Sequence, residues 1–270
     1  MNFLRLFLFT SIFANILFVT LGSSKEQLFY DAVRLESSGD YENAISNYKE
    51  ALSHATSANL HGNLANLYYL TNDYGRSILH YQKALLLEQD NRDFRSNLAY
   101  VRKMAKVGTS NNNSLELNGF THNFWKGCLG SFFWTGLLII CYLFFRRIRN
   151  KTLILTSFCW IAGNLIFVSL IFHSTEQMDL TNRKVVALNP VNLSENNSSA
   201  NIQLRKFAAK SSSANSSVRT GETLIVDRTQ SGELQKHRSQ DSKNWLLVST
   251  LDKRRKGWVL EEEIGWLSRN

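Results

Sequence analysis

Two uninterrupted apolar runs, Gly127 to Phe145 and Thr152 to Phe172, constrain this chain more than any other feature. Neither carries a charged side chain. As helices rising about 1.5 Å per residue, both are long enough to reach across a hydrocarbon core about 30 Å thick. The loop between them, 146–151, contains Arg146, Arg147, Arg149 and Lys151. So short a connection turns the second helix antiparallel to the first. Short basic loops resist translocation, so these four residues act as topology determinants: the loop stays cytoplasmic, and both flanking regions face outward.

The formal net charge of +9 invites a nucleic-acid reading until it is divided by region. Residues 25–107 carry ten basic and ten acidic side chains, and residues 174–270 carry fifteen and eleven. The other six cations are Arg5, Lys126 and the four in the loop, set against Glu116 alone. Over half of the excess therefore belongs to membrane-insertion signals, and no nucleic-acid partner is expected. All three cysteines (Cys128, Cys141, Cys159) fall within the apolar runs. That leaves the outer regions no disulfide framework and no paired metal ligands.

Residues 1–24 place one cation, Arg5, before an apolar stretch from Leu6 to Leu21 and the small residues Gly22, Ser23 and Ser24. This is the pattern of a secretory signal. The alternative, an uncleaved anchor, delivers the following residues to the same side.

An internal repeat follows. The segment from Gly39-Asp40-Tyr41 through Ala44, Tyr48 and Ala51 to Leu52 recurs 33 residues later, from Asn72-Asp73-Tyr74 through Ser77, Tyr81 and Ala84 to Leu85. Its apolar spacings of three and four mark one face of a helix. These residues resemble a tetratricopeptide repeat. The resemblance implies first helices at Gln27–Ser38 and Asn59–Thr71, and a capping helix at Arg92–Val107 with Phe94, Leu98, Val101 and Ala105 inward. The domain spans residues 25–107. Arrays of this kind bind peptides in a groove, whose face here would offer Asn59, Asn63, Asn66, Asn97 and Tyr100. The ordinary alternative for each is a solvated helix face. Residues 108–126 read as a linker.

Within the apolar runs, Trp125 and Trp134 suit the outer membrane interface, and Asn164 is expected to hydrogen-bond to the neighbouring helix. Gly127, Gly130, Ser131 and Gly136 could pack against other membrane subunits. Beyond a linker at 173–183, short β-prone runs begin: Val185–Leu188, Thr223–Val226, Trp245–Val248 and Gly257–Leu260. Gly221-Glu222-Thr223, Trp245 and Gly257-Trp258-Val259 resemble the closing half of a bacterial SH3-like domain, placed at 184–267. The opening half departs from that pattern, and Ser/Asn-rich segments leave strand register open. Lys253, Arg254, Arg255 and Lys256 form either a patch for an anionic surface or a solvated hairpin tip.

The expected fold is thus a multidomain membrane protein: an all-α tetratricopeptide-repeat solenoid, a two-helix transmembrane hairpin and a small all-β SH3-like barrel. That order of parts resembles the BatE-type proteins of the Bacteroides aerotolerance operon. The resemblance implies a bacterial inner-membrane protein with both end domains in the periplasm. It also implies other membrane or envelope proteins as partners, among them von Willebrand A-type subunits. His54, His61, His80, His122, His173 and His237 show no metal spacing, and there is no phosphate loop or nucleophile elbow. No catalytic, cofactor-binding or metal residues are expected. The expected function is a non-enzymatic scaffold. The alternative is a cell-wall adaptor that binds peptidoglycan through the SH3-like domain.

Overall fold

The computed structural model describes residues 26–108, 119–146, 150–188, 201–239 and 241–268. The signal segment 1–24, Arg147, Arg149 and residues 109–118 of the first linker lie outside the described residues.

Helix α1 spans residues 26–37. It is followed by α2 (Tyr41–His54), α3 (Ala58–Leu70), α4 (Tyr74–Leu87) and α5 (Arg92–Met104). The 33-residue repeat returns as the same backbone turn. At the end of α1, Gly39 (φ +81°) donates to the Glu36 carbonyl at 3.0 Å, and Asp40 N–H donates to the Leu35 carbonyl at 2.9 Å. At the end of α3, Asn72 (φ 60°) donates to Tyr69 at 3.0 Å and Asp73 to Tyr68 at 2.8 Å. These paired bonds around one left-handed residue satisfy the last helix carbonyls, which is why glycine or asparagine stands there. The Asp40 and Asp73 side chains then accept from Asn43 N–H and Arg76 N–H and cap α2 and α4.

A third copy of the turn closes α5. Lys106 (φ 54°) donates to the Lys103 carbonyl at 3.1 Å, and Val107 donates to Arg102 at 3.0 Å. The expected capping helix, α5, thus ends in the same turn as α1 and α3. Between helices, Ala44, Tyr48 and Ala51 of α2 and Ser77, Tyr81 and Ala84 of α4 are all buried, matching the repeated positions. Ser77 also donates its hydroxyl to the Ala65 carbonyl at 2.7 Å, so the small residue brings the two backbones close.

Among the described residues, eight strands form the C-terminal sheet: β1 (Lys184–Ala187), β2 (Asn201–Arg205), β3 (Ala214–Arg219), β4 (Thr223–Val226), β5 (Lys236–Arg238), β6 (Asn244–Thr250), β7 (Lys256–Leu260) and β8 (Ile264–Trp266). Their order is β3-β2-β7-β6-β4-β1-β8, with β5 paired to β6. Inward residues Val185, Ile202, Leu204, Val218, Leu224, Val226, Leu246, Val248, Val259 and Ile264 make its core. The register left open by the sequence is Ile202 opposite Val218 and Leu204 opposite Ser216. Only Val218 of β3 is buried, so this Ser/Asn-rich edge strand offers almost no hydrophobic alternation. Gly257 is required where β7 crosses β2, because a Cβ there would lie 2.7 Å from Leu204 Cβ.

The repeats and the sheet pack as one compact unit, formed by chain from both sides of the apolar helices. The seam is built on α4. A Cβ on Gly75 would meet Thr220 Cγ2 at 2.5 Å, one on Gly221 would meet Ile78 Cδ1 at 2.5 Å, and one on Gly265 would meet Leu79 Cδ2 at 2.4 Å. Ile78, Leu79 and Gln82 are buried. Gln82 Nε2 donates to Thr223 Oγ1 at 3.2 Å. Burying Ile78 and Leu79 stabilises by about 1.5–3 kcal/mol each.

Helices α6 (Gly119–Phe145) and α7 (Asn150–Arg183) form the second unit. Both are long and apolar enough to cross a membrane. Leu138, Phe144, Ile154, Phe158 and Leu165 stand exposed on them, as lipid-facing side chains would. Three expectations are corrected here. Asn164 bonds within its own helix: its Nδ2 donates at 2.8 Å to the Trp160 carbonyl one turn back. Gly136 is already occupied, since a Cβ there would lie 2.1 Å from Trp160 Cδ1, whereas Gly127 and Gly130 face open space. The linker at 173–183 continues α7, because it contains neither proline nor glycine and ends in an Arg183–Asp179 pair at 3.1 Å. Phe132–Phe167 and Phe133–Trp160, each with ring centroids 5.3 Å apart, fill the space between the two helices.

Candidate functional site

The expected groove residues lie on α3 and α5, where the repeats place their first helices. Asn59 is exposed. Asn63 Nδ2 donates at 3.3 Å to the Tyr48 hydroxyl, which itself donates at 3.2 Å to Glu36 Oε2. One repeat later, the Tyr81 hydroxyl donates to Asn66 Oδ1 and accepts from Asn97. Three of the four asparagines therefore hold the buried tyrosine hydroxyls that key each helix pair together. Burial pushes both phenols up to about 12, with Glu36 adding to the effect at Tyr48, so both stay neutral donors. Tyr100 is half exposed; Tyr69 meets it edge-on at 5.7 Å and donates to its hydroxyl at 3.4 Å. Leu70 and Met104, on the same two helices, are also exposed and were not singled out in the sequence. Their polar neighbours broke up any apolar signal. The face thus presents the Tyr100 ring and the Asn59 amide beside Leu70 and Met104.

Behind this face, His61 on α3 and His80 on α4 meet Nδ1 to Nδ1 at 3.0 Å, and His80 stacks on Tyr68. One Nδ1 carries the proton and the other accepts it, so the neutral pair uses two different tautomers. Burial, then the Lys83 ammonium, pushes His61 down to about 4. His80 is pushed well down by burial, then by His61, Lys83, Lys49 and Arg76. Among the described residues no three His, Cys, Asp or Glu side chains converge to hold a metal ion.

The four basic residues before Gly257 are drawn largely into the protein's own ion pairs. Lys256 Nζ meets Asp227 Oδ2 at 2.7 Å, and Arg254 lies 3.8 Å from Asp252. Arg255 turns inward to Glu222 and donates to the Ser217 carbonyl at 2.7 Å. Lys253 takes the left-handed position of the turn (φ 56°). Of the loop cations, Arg146 sits over the Tyr142 ring at 5.7 Å, and Lys151 is exposed at the start of α7.

The cavities on this unit include the following two. One, of about 530 Å³, lies between the last turn of α5 and the turns β3–β4 and β6–β7, and includes Arg102, Lys106, Arg219, Glu222, Asp252 and Arg255. The other, of about 500 Å³, runs between residues 208–211 and the β5–β6 hairpin, with His237, Asp241 and Lys243 in its lining. Compared with known proteins, the sequence matches no family model and no curated protein.

Proposed function

We propose that the protein is a non-enzymatic, membrane-anchored scaffold, with α6 and α7 as its anchor and the repeat–sheet unit as its docking body. The observation that supports this best is the packing of the sheet against α4 alongside an exposed face on α3 and α5, with Asn59 and Tyr100 available to a partner. On this reading the helices are tetratricopeptide repeats and the sheet is an SH3-like domain. The protein is then a BatE-type subunit of an envelope or aerotolerance complex, set in the inner membrane with its docking body in the periplasm. Partners would be membrane or envelope proteins of the von Willebrand A type.

The test is quantitative co-purification of the full chain in mild detergent, comparing the parent with an Asn59→Arg/Tyr100→Arg variant. Loss of specific co-purifying proteins from the variant is expected. An identical set of bound proteins would remove the reading. Reporter fusions at Ser110, Asn150 and Asn270 should read outward, inward and outward, and an inward C-terminus would overturn the placement.

One other reading is a cell-wall adaptor, supported by the second cavity, where Lys210, Ser211, His237, Ser239, Asp241 and Lys243 offer polar groups to a glycan–peptide polymer. Retention of the full chain on purified peptidoglycan at low salt would support it, and passage through at both low and high salt would dismiss it.

A further inference from the structure

The β2–β3 hairpin ends in a tip, residues 206–213, that departs from the rest of the sheet. Among the described residues of the sheet region, Phe207 is the one large hydrophobic side chain left exposed, at 71 %. The tip is nonetheless firmly built. Arg205 Nη1 donates to the Lys210 carbonyl at 2.7 Å and to the Ser212 carbonyl at 2.8 Å, tying its two sides together. Phe207 N–H donates to Ser212 Oγ at 3.0 Å, Lys206 N–H to the Ser213 carbonyl at 3.1 Å, and Ser212 N–H to the Ala209 carbonyl at 3.1 Å. At its base the register slips by one residue between Leu204–Ser216 and Arg205–Ala214, leaving Asn215 as a bulge. The Asn215 amide donates to the Lys256 carbonyl of β7 at 2.8 Å and pins the hairpin there. These bonds take up backbone polar groups inside the tip, which lowers the cost of moving it out of bulk water.

Charge indicates what covers the ring. Residues 201–219 contain Arg205, Lys206, Lys210 and Arg219 and no carboxylate. Lys206 and Lys210 are exposed on either side of Phe207, and among the described residues neither ammonium is drawn into an ion pair. An aromatic ring between two such cations matches the boundary of an anionic bilayer, where the ring enters the headgroup layer and the ammoniums meet lipid phosphates. The chain also keeps the sheet close to its membrane helices. β1 begins at Lys184, the residue after α7 ends, and only about 16 Å of helix separates it from the end of the apolar run at Phe172.

We propose that the β2–β3 tip docks on an anionic lipid surface, with Phe207 in the headgroup layer and Lys206 and Lys210 on lipid phosphates. This rests on the reading of α6 and α7 as a membrane anchor, and it gives the docking body an attachment to lipid of its own.

The experiment uses the full chain, reconstituted in vesicles of phosphatidylcholine alone or mixed with phosphatidylglycerol. A nitrobenzoxadiazole label, whose emission reports polarity, is placed at Phe207→Cys in a Cys128→Ala/Cys141→Ala/Cys159→Ala background. Its emission should shift to the blue with phosphatidylglycerol and be quenched by brominated lipid. Adding Lys206→Gln/Lys210→Gln should abolish the shift, since each lysine near such a surface contributes about fivefold to partition. The same label at Gln230→Cys, on the exposed β4–β5 turn, should stay water-like in both vesicles. Absence of a phosphatidylglycerol-dependent shift at Phe207→Cys, or an equal shift at Gln230→Cys, would overturn the proposal. A label on Cys141 alone tests the anchor separately. An apolar signal there without a shift at Phe207→Cys removes the tip proposal only, and a water-like signal at Cys141 removes the anchor reading and the proposal with it.

Discussion

Acidification should loosen the helical repeats, and the His61–His80 pair sets the size of the effect. An unfolded histidine titrates near about 6.5. Folded His61 is held down to about 4 by burial and by Lys83. Below about pH 6.5 the unfolded chain therefore takes up protons that the folded chain refuses. The stabilisation is complete above the unfolded value and is lost as pH falls toward about 4. Between about pH 7.5 and 5, linkage at His61 alone removes about 2 kcal/mol. His80 acts in the same direction, because Lys83, Lys49 and Arg76 all oppose a charge on its ring. Glu263 in the sheet works the other way. Burial pushes its carboxyl up, so it favours the folded state as pH falls.

A double variant isolates the pair. His61→Leu/His80→Leu removes both partners together and leaves no orphaned ring nitrogen. The assay is thermal unfolding of the full chain in detergent at the two pH values. For a unit of this size, about 2 kcal/mol corresponds to a drop of about 4–8 °C in Tm. The parent should lose that much more than the double variant. Equal losses in the two proteins would refute the reasoning.

Gly136→Leu should separate α6 from α7 by displacing Trp160, seen as a lower Tm and loss of monodisperse protein in detergent, whereas Gly130→Leu should change neither. Gln82→Leu should be neutral or stabilising by up to about 1 kcal/mol in denaturant unfolding, because it removes the buried, partnerless Oε1 at the cost of one bond to Thr223. Gly257→Ala should cost about 1–3 kcal/mol in the same assay, as the new methyl meets both the Leu204 side chain and its backbone.

The repeat turns were legible because they are local: a left-handed residue, an aspartate cap and a tyrosine about two helical turns further on are fixed by sequence spacing alone. The apolar helices were legible for the same reason. The edge strands β3 and β5 were not, since their exposed residues have little need to alternate. The seam was the larger omission, although the repeats carry its signal when compared with each other. Where α2 has Glu42, Ser46 and Lys49, all exposed, α4 has Gly75, Leu79 and Gln82, all buried. The inner faces of the two helices match, and they differ on the side where α4 meets the sheet. Among the groove residues, the sequence could place Asn63, Asn66 and Asn97 on the first helices but not show that tyrosine hydroxyls from the second helices would engage them.

The repeat–sheet unit takes its chain from before α6 and from after α7, and this has a consequence for biogenesis. A bilayer crossed once would separate the two contributions for good, so the seam can close only when the number of crossings is even. Parity is thereby written into a contact between Ile78, Leu79 and the β-strands, independently of any arginine in the loop. Until the last third of the chain has been made and delivered, the outer face of α4 has nothing to pack against. If α6 and α7 cross a bilayer as proposed, closure of the seam is the step that favours an evenly threaded molecule over a misthreaded one.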